Sequence, residues 1–133
     1  LAAIVDDLKA NSLAIHAADG PRGPSGVVKA GLIRMAQLSG AKIFPVYISF
    51  SRAWSLGSWD RFLIPKPLSK IRIRWAQPFS IPKNLTEEEF ESIRRQLENH
   101  MQQCQIVDDR SFGWDDLLLG KRPDPGDETL NAS

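Results

Sequence analysis

Thr86 and Glu89 open the segment that most constrains what this chain can fold into. Thr-x-x-Glu is a capping box, in which each side chain satisfies a backbone amide of the first helical turn, and Leu85 stands where it can staple onto Phe90. Phe90, Ile93, Leu97, Met101 and Cys104 then recur at three- and four-residue spacing, which lays one apolar stripe along a helix. A helix with such a stripe gains most of its stability from whatever covers it, so the remaining residues must supply that cover.

Much of the remainder reads as short strands and helices. Leu1, Ile4, Val5 and Leu8 share one face of a helix that ends near Asn11. Ser12 to Ala18 is short and mostly apolar, as a buried strand is. A second helix is predicted over Val27 to Leu38, capped by Ser25 or Gly26 and stopped by Gly40. Lys42 to Phe50 reads as a strand, and Pro45 within it, lacking an amide proton, demands an edge or a bulge. Ser51 to Ser69 is a long connection rich in aromatic and basic residues. Lys70 to Gln77 alternates, with Lys70, Arg72 and Arg74 on one side and Ile71, Ile73 and Trp75 on the other. The order implies an α/β fold with a mixed central sheet flanked by helices, over residues 1–107. Residues 108–133, with Pro123, Pro125 and Gly126 near their end, read as a polar, loosely ordered tail.

The composition narrows the function classes. Of 133 residues, 42% are hydrophobic and 25% charged, with a formal net charge of +1. That near-neutral balance argues against nucleic acid as a partner, which calls for a basic excess or stripe. The single cysteine excludes an internal disulfide, and two histidines without a cluster around them make a metal centre or metal cofactor an unpromising reading. No apolar run approaches the length of a membrane-spanning helix. The chain opens at Leu1, already inside its first helix, as a piece of a longer protein or a trimmed chain would.

The strongest local signal is Asp19-Gly20-Pro21-Arg22-Gly23-Pro24, between the first predicted strand and the second helix. Amides at a helix start point back into such a loop, and Arg22 can offer a planar fork of donors to a phosphate or carboxylate. Gly20 and Gly23 allow close approach of a ligand, while Pro21 stiffens the turn. The spacing fits neither a Walker loop nor a dinucleotide fingerprint. On spacing alone the better fit is a tight turn in which Asp19 caps local amides and pairs with Arg22.

This hexapeptide, followed by a helix and Phe44-Pro45-Val46, resembles the third and fourth sequence blocks of the lysophospholipid acyltransferase superfamily. The stretches Ser51-Arg52-Ala53-Trp54, Ser58-Trp59-Asp60-Arg61-Phe62 and Ile64-Pro65-Lys66-Pro67 are similar to a bacterial branch of it known as a domain of unknown function. The resemblance extends from about Leu1 to Gln103. It implies that Asp19 and Arg22 hold the polar head of an acceptor, and that Pro45 shapes the floor of the site. It implies transfer of a fatty acyl group from acyl-CoA or acyl carrier protein to a hydroxyl of a phospholipid or glycolipid. The place would be the cytoplasmic face of the inner membrane, with the protein bound peripherally. In the family a His-x-x-x-x-Asp block supplies the base. This chain has none, since neither His16 nor His100 has an aspartate five positions on. The resemblance therefore implies the C-terminal part of an incomplete glycerolipid-acyltransferase-like domain, whose partner is an N-terminal segment of the same protein. An exposed apolar patch beside the Asp19 loop, or its burial in a dimer, should mark that boundary.

Arg52, Arg61 and Lys66, among Trp54, Trp59, Phe62 and Leu63, have the mix expected at a membrane interface, and are further candidates for an anionic surface. A loop packed on its own aromatics is the competing reading. Lys70, Arg72 and Arg74 could face headgroups or form a plain solvated sheet face. The competing function is a lipid- or phosphate-binding module without chemistry, with a nucleotide-binding domain as a third.

Overall fold

The structure is a computed structural model and describes residues 2–11, 13–20, 24–56, 58 and 62–114. It is a mixture of helices and strands: α1 (Ala2–Asn11), α2 (Ala30–Ser39), β1 (Val46–Phe50), β2 (Ala53–Ser55), β3 (Leu63–Pro65), β4 (Ile71–Trp75) and α3 (Glu87–Arg110). The expected mixed central sheet is not found among the described residues. Among the described residues β1 pairs antiparallel with β4, and β2 with β3, as two separate two-stranded sheets.

The core lies where α3 crosses α2. Val28, Ile33, Ala36, Ile81, Phe90 and Leu97 form it, with Leu32, Ile43, Phe79, Leu85, Ile93 and Met101 packed around them. Burying each large aliphatic or aromatic member is worth about 1.5–3 kcal/mol. The stripe predicted on α3 is thus the stripe that packs. Its capping box is formed in both directions, from Glu89 N–H to Thr86 Oγ1 at 3.2 Å and from Thr86 N–H to Glu89 Oε2 at 2.8 Å.

Two expected elements begin or end elsewhere. Residues 13–17 are not a buried strand: they have no regular structure, and Ile15 is 95% exposed. A strand needs a ladder partner for its amides, and no described strand lies against this segment. Helix α2 starts at Ala30 rather than Val27, with Lys29 at the N-cap and no side-chain cap, so neither Ser25 nor Gly26 has that role. The preceding amides are drawn elsewhere: Gly26 to Asp19 Oδ2, Val28 to Glu98 Oε2 and Lys29 to the Ala18 carbonyl. Gly40 stops the helix as predicted, at φ 76°, with its N–H on the Ala36 carbonyl.

Pro45 does sit at a break. Its carbonyl accepts the Ala76 amide at 3.0 Å, continuing the β1–β4 register of Val46 opposite Trp75. Beyond it the register slips by one residue, and Ile43 bridges Phe79. That slip is a bulge, which accommodates a residue without an N–H.

The ribbon β1–β4 places its residues the unexpected way round. Tyr47 and Ser49 of β1 are buried against α3, and opposite them stand Arg74 and Arg72. Val46, Ile48, Ile71, Ile73 and Trp75 face outward and are exposed, Trp75 at 71%. The reason is the end of α3. There the helix presents Gln105, Asp108 and Asp109, so it takes the polar side of the sheet. Asp108, 1% exposed, receives Arg74 Nη2 on Oδ1 at 2.5 Å and Arg72 Nη1 at 3.5 Å. Gln105 Nε2 donates to Ser49 Oγ at 2.9 Å and to Asp109 Oδ1 at 2.9 Å. Arg72 also donates to Ser111 Oγ and covers the Phe112 ring at 4.8 Å. Arg72 and Arg74 thus pair with Asp108 through their guanidinium groups while staying partly exposed, rather than forming a plain solvated face. Burial, with Cys104 beside its hydroxyl, pushes the Tyr47 phenol well above its usual range. The polar stretch after residue 107 begins inside this packing: α3 runs to Arg110, and Trp114 Nε1 donates to the Phe50 carbonyl at 2.8 Å. Residues 115–133 lie outside the described residues.

The connection from Ser51 to Ser69 is not a loop but chiefly the hairpin β2–β3. Its pairing is extended by Leu56 N–H on the Phe62 carbonyl at 2.9 Å and Lys66 N–H on the Arg52 carbonyl at 3.1 Å.

Candidate functional site

The Asp19 loop is closed by three bonds that its sequence allows. Gly20 is buried at φ 69°, and its N–H reaches the Ala17 carbonyl at 3.2 Å. Asp19 Oδ2 accepts the Gly26 amide at 3.3 Å from across the loop. Lys29 N–H bonds the Ala18 carbonyl at 2.9 Å, which draws the far end back beside the near one. A Cβ on Gly20 would come within 3.3 Å of Lys29 Cγ, so the turn and the Lys29 stem are in close contact. Both the strain at positive φ and this approach call for glycine.

Helix α3 holds the exit of the loop. Arg94 Nη1 donates to the Val28 carbonyl at 2.8 Å, Glu98 Oε2 takes the Val28 amide at 2.8 Å, and Gln102 Nε2 donates to the Gly26 carbonyl at 2.8 Å. Arg94 and Glu98 are themselves paired at 2.7 Å. Glu91 bonds Arg94 and Arg95, and those guanidinium donors hold its carboxyl down at about 2. The same bond from Glu91 raises Arg94 further above its ordinary range. Sequence reasoning missed this set and Lys29. The signal was available as a second stripe on α3, Glu91-Arg94-Glu98-Gln102, running beside the apolar one at the same helical spacing.

The expected site residues separate into three groups. Asp19 and Gly20 are together in the closed turn, where Asp19 caps an amide as the turn reading supposed. Pro21, Arg22 and Gly23 lie outside the described residues, as does Arg61. Arg52 and Lys66 are brought opposite each other across the hairpin, with Arg52 Nη2 donating to the Pro67 carbonyl at 3.1 Å. The amides near Gly26, expected to bind an anion, are engaged within the protein, so the helical amides offered at this end begin with α2 itself.

Neither histidine is set up as a base beside the turn. His16 is exposed, with Nδ1 2.6 Å from the Ala17 carbonyl. His100 packs on Phe79 at 5.5 Å between ring centres, with Nε2 3.8 Å from Cys104 Sγ. Among the described residues no group of three or more His, Cys, Asp or Glu side chains could hold a metal ion. No helix among them is long and apolar enough to cross a membrane. An open groove on the far side of α3, lined by Glu87, Glu91, Arg95 and Asn99, is no cradle for an anion and contains no residue of the Asp19 turn.

Over 78 residues the chain is 33% identical to an uncharacterized protein of Rickettsia prowazekii (strain Madrid E), a match covering 59% of this chain and 36% of that protein. The matched stretch thus spans about a third of the length of this curated relative. No protein-family profile and no solved structure matches the chain.

Proposed function

We propose that this chain is the acceptor-binding part of an acyltransferase-like protein acting at a lipid surface. The whole protein would move a fatty acyl group from acyl-CoA or acyl carrier protein to a hydroxyl of a phospholipid or glycolipid, bound peripherally at the cytoplasmic face of the inner membrane. The observation that carries this reading is the closed turn. Asp19 and Gly20 are held beside Gly26 and Lys29 at the start of α2, and Arg22, which falls between them in the sequence, is the residue we assign to the anionic head. The ordered likeness to the acyltransferase blocks supplies the chemistry. Asp19, already engaged with the Gly26 amide, orients the turn and is not assigned the role of base. The base would come from a further segment of the same protein, and the outer face of β1–β4, where Val46, Ile48, Ile71, Ile73 and Trp75 are exposed, is a surface such a segment could cover.

A second reading, a lipid- or phosphate-binding module without chemistry, is favoured by the lack of a His-x-x-x-x-Asp block in this chain. Calorimetry with a phosphate-headed lysolipid, run beside acyl transfer on the longer protein, separates them. Arg22→Ala should weaken head-group binding by about 1.5–3 kcal/mol, and Arg22→Lys should fail to restore it fully. Unchanged affinity in both variants would sink both readings, while binding without turnover selects the module.

A further inference from the structure

The hairpin β2–β3 turns its apolar side outward. In the register of the pair, Arg52 faces Lys66, Trp54 faces Ile64 and Leu56 faces Phe62, all on one side. The opposite side carries Ala53, which is buried, and Ser55, Leu63 and Pro65, which are half-buried. Trp54, Leu56, Phe62 and Ile64 are each exposed. Two apolar rows thus lie next to a cationic row.

Beside that cationic row the chain inserts a turn, Lys66 to Ser69, closed by Ser69 N–H on the Lys66 carbonyl at 3.1 Å. Pro67 holds its second position and Leu68 its third, at φ 62°. That position suits glycine or asparagine, and a leucine there costs conformational free energy. Burial could offset the cost, yet Leu68 is 97% exposed, so no packing within the described molecule does. Arg52, through its bond to the Pro67 carbonyl, holds the turn against the hairpin.

We propose that the outer face of β2–β3, together with Leu68, docks on an anionic lipid bilayer. Charge complementarity selects this occupant: the described stretches 50–56 and 62–70 carry Arg52, Lys66 and Lys70 and no carboxylate. Basic side chains beside apolar rows can bury their stems among acyl chains while their heads stay with the phosphates. Trp54 has the amphipathic ring favoured at that depth. The proposal rests on the lipid-surface part of the reading above, and names the surface and its partner.

The test is sedimentation of the 133-residue chain with vesicles of phosphatidylcholine, with and without phosphatidylglycerol. Binding should require the anionic lipid and weaken with salt. Leu68→Gly should fold at least as stably, since it relieves the positive φ, yet lower partitioning by about tenfold. Arg52→Gln and Lys66→Gln should each lower it roughly fivefold. Ile73→Ser, on the outer face of β1–β4, should change little. The proposal is overturned if Leu68→Gly binds as the parent does, if Ile73→Ser alone abolishes binding, if neutral vesicles bind equally, or if the face is buried in a dimer. Because vesicle binding is read without turnover, a failed acyl-transfer assay leaves it standing, and absent vesicle binding leaves head-group recognition by Arg22 untouched.

Discussion

Replacing Arg74 by methionine tests why the β1–β4 ribbon turns its charged side inward. Arg74 Nη2 lies 2.5 Å from Asp108 Oδ1, and the aspartate side chain is 1% exposed. With Arg74 gone, Arg72 remains at 3.5 Å, at the limit of a hydrogen bond. Removing one partner of a fully buried pair costs about 3–5 kcal/mol, because the other charge is stranded. Arg74 is 45% exposed, so water already screens part of the attraction. We therefore expect Arg74→Met to cost about 2–3 kcal/mol. Asp108→Asn keeps an accepting oxygen toward the arginines, which both reach solvent, but sets an amide NH2 where Asp108 Oδ2 is buried without a partner, and should cost about 1–2 kcal/mol. The double substitution should be about 1–2 kcal/mol more stable than the sum of the singles. Urea unfolding followed by circular dichroism reads these as midpoint shifts at constant slope. Losses that are equal and simply add would refute the reasoning, for they would mean that Asp108 is solvated and the arginines of β4 point to water.

Other outcomes follow from the same geometry. Glu91 ordinarily titrates at 4.5 and is held at about 2 in the fold, so the unfolded chain binds a proton there that the native chain does not. Its contribution is complete above pH 4.5 and is lost as the pH falls through 2; Glu91→Gln should flatten the rise of stability with pH in that window, and an unchanged slope counts against the Arg94–Arg95 assignment. Thr86→Ala should lower stability by about 1 kcal/mol through loss of the capping box, measurable by thermal unfolding. Residues 1–133 alone should give no acyl transfer in a thioester-release assay, as general-base help is typically worth about 10²–10⁴-fold; turnover matching that of the longer protein would contradict the proposed division of labour. The parent chain should bind a hydrophobic dye through the outer face of β1–β4, and Ile73→Ser with Trp75→Ser should reduce that signal; no reduction would show that the face is covered.

What the sequence disclosed and what it hid divide along a physical line. The helix from Thr86 was legible because its cap, staple and stripe are local and agree with one another. Gly40 and the break at Pro45 were legible for the same reason, since each is a property of one residue's backbone. Residues 13–17 were misread because a strand is a statement about a partner, and apolar composition at Leu13 and Ile15 names none. Alternation in Lys70–Gln77 revealed two faces correctly, but which face turns inward depends on Asp108, more than thirty residues away, and no period in β4 encodes it. The hairpin inside Ser51–Ser69 escaped notice because its strands are three residues each, too short for a period to show. Of the candidate site, Asp19 and Gly20 were readable from turn chemistry; Arg94, Glu98 and Gln102, which grip the turn's exit, were hidden as ordinary polar residues beside a more obvious stripe.

Helix α3 is well matched to its own macrodipole at one end and badly matched at the other. Glu87, Glu88 and Glu89 occupy its first turn, where negative charge is favoured, whereas Asp108 and Asp109 stand near its last, where it is not. Arg110 is the sole basic residue of that last turn. The final turns therefore gain stability only once Arg72 and Arg74 have been delivered by β4. This separates the helix into two kinetic halves. The first can form locally around the capping box, while the second must wait for a contact that closes a long loop. In a mutational analysis of folding rates, substitutions near Phe90 should then slow folding, and those near Asp108 should chiefly hasten unfolding.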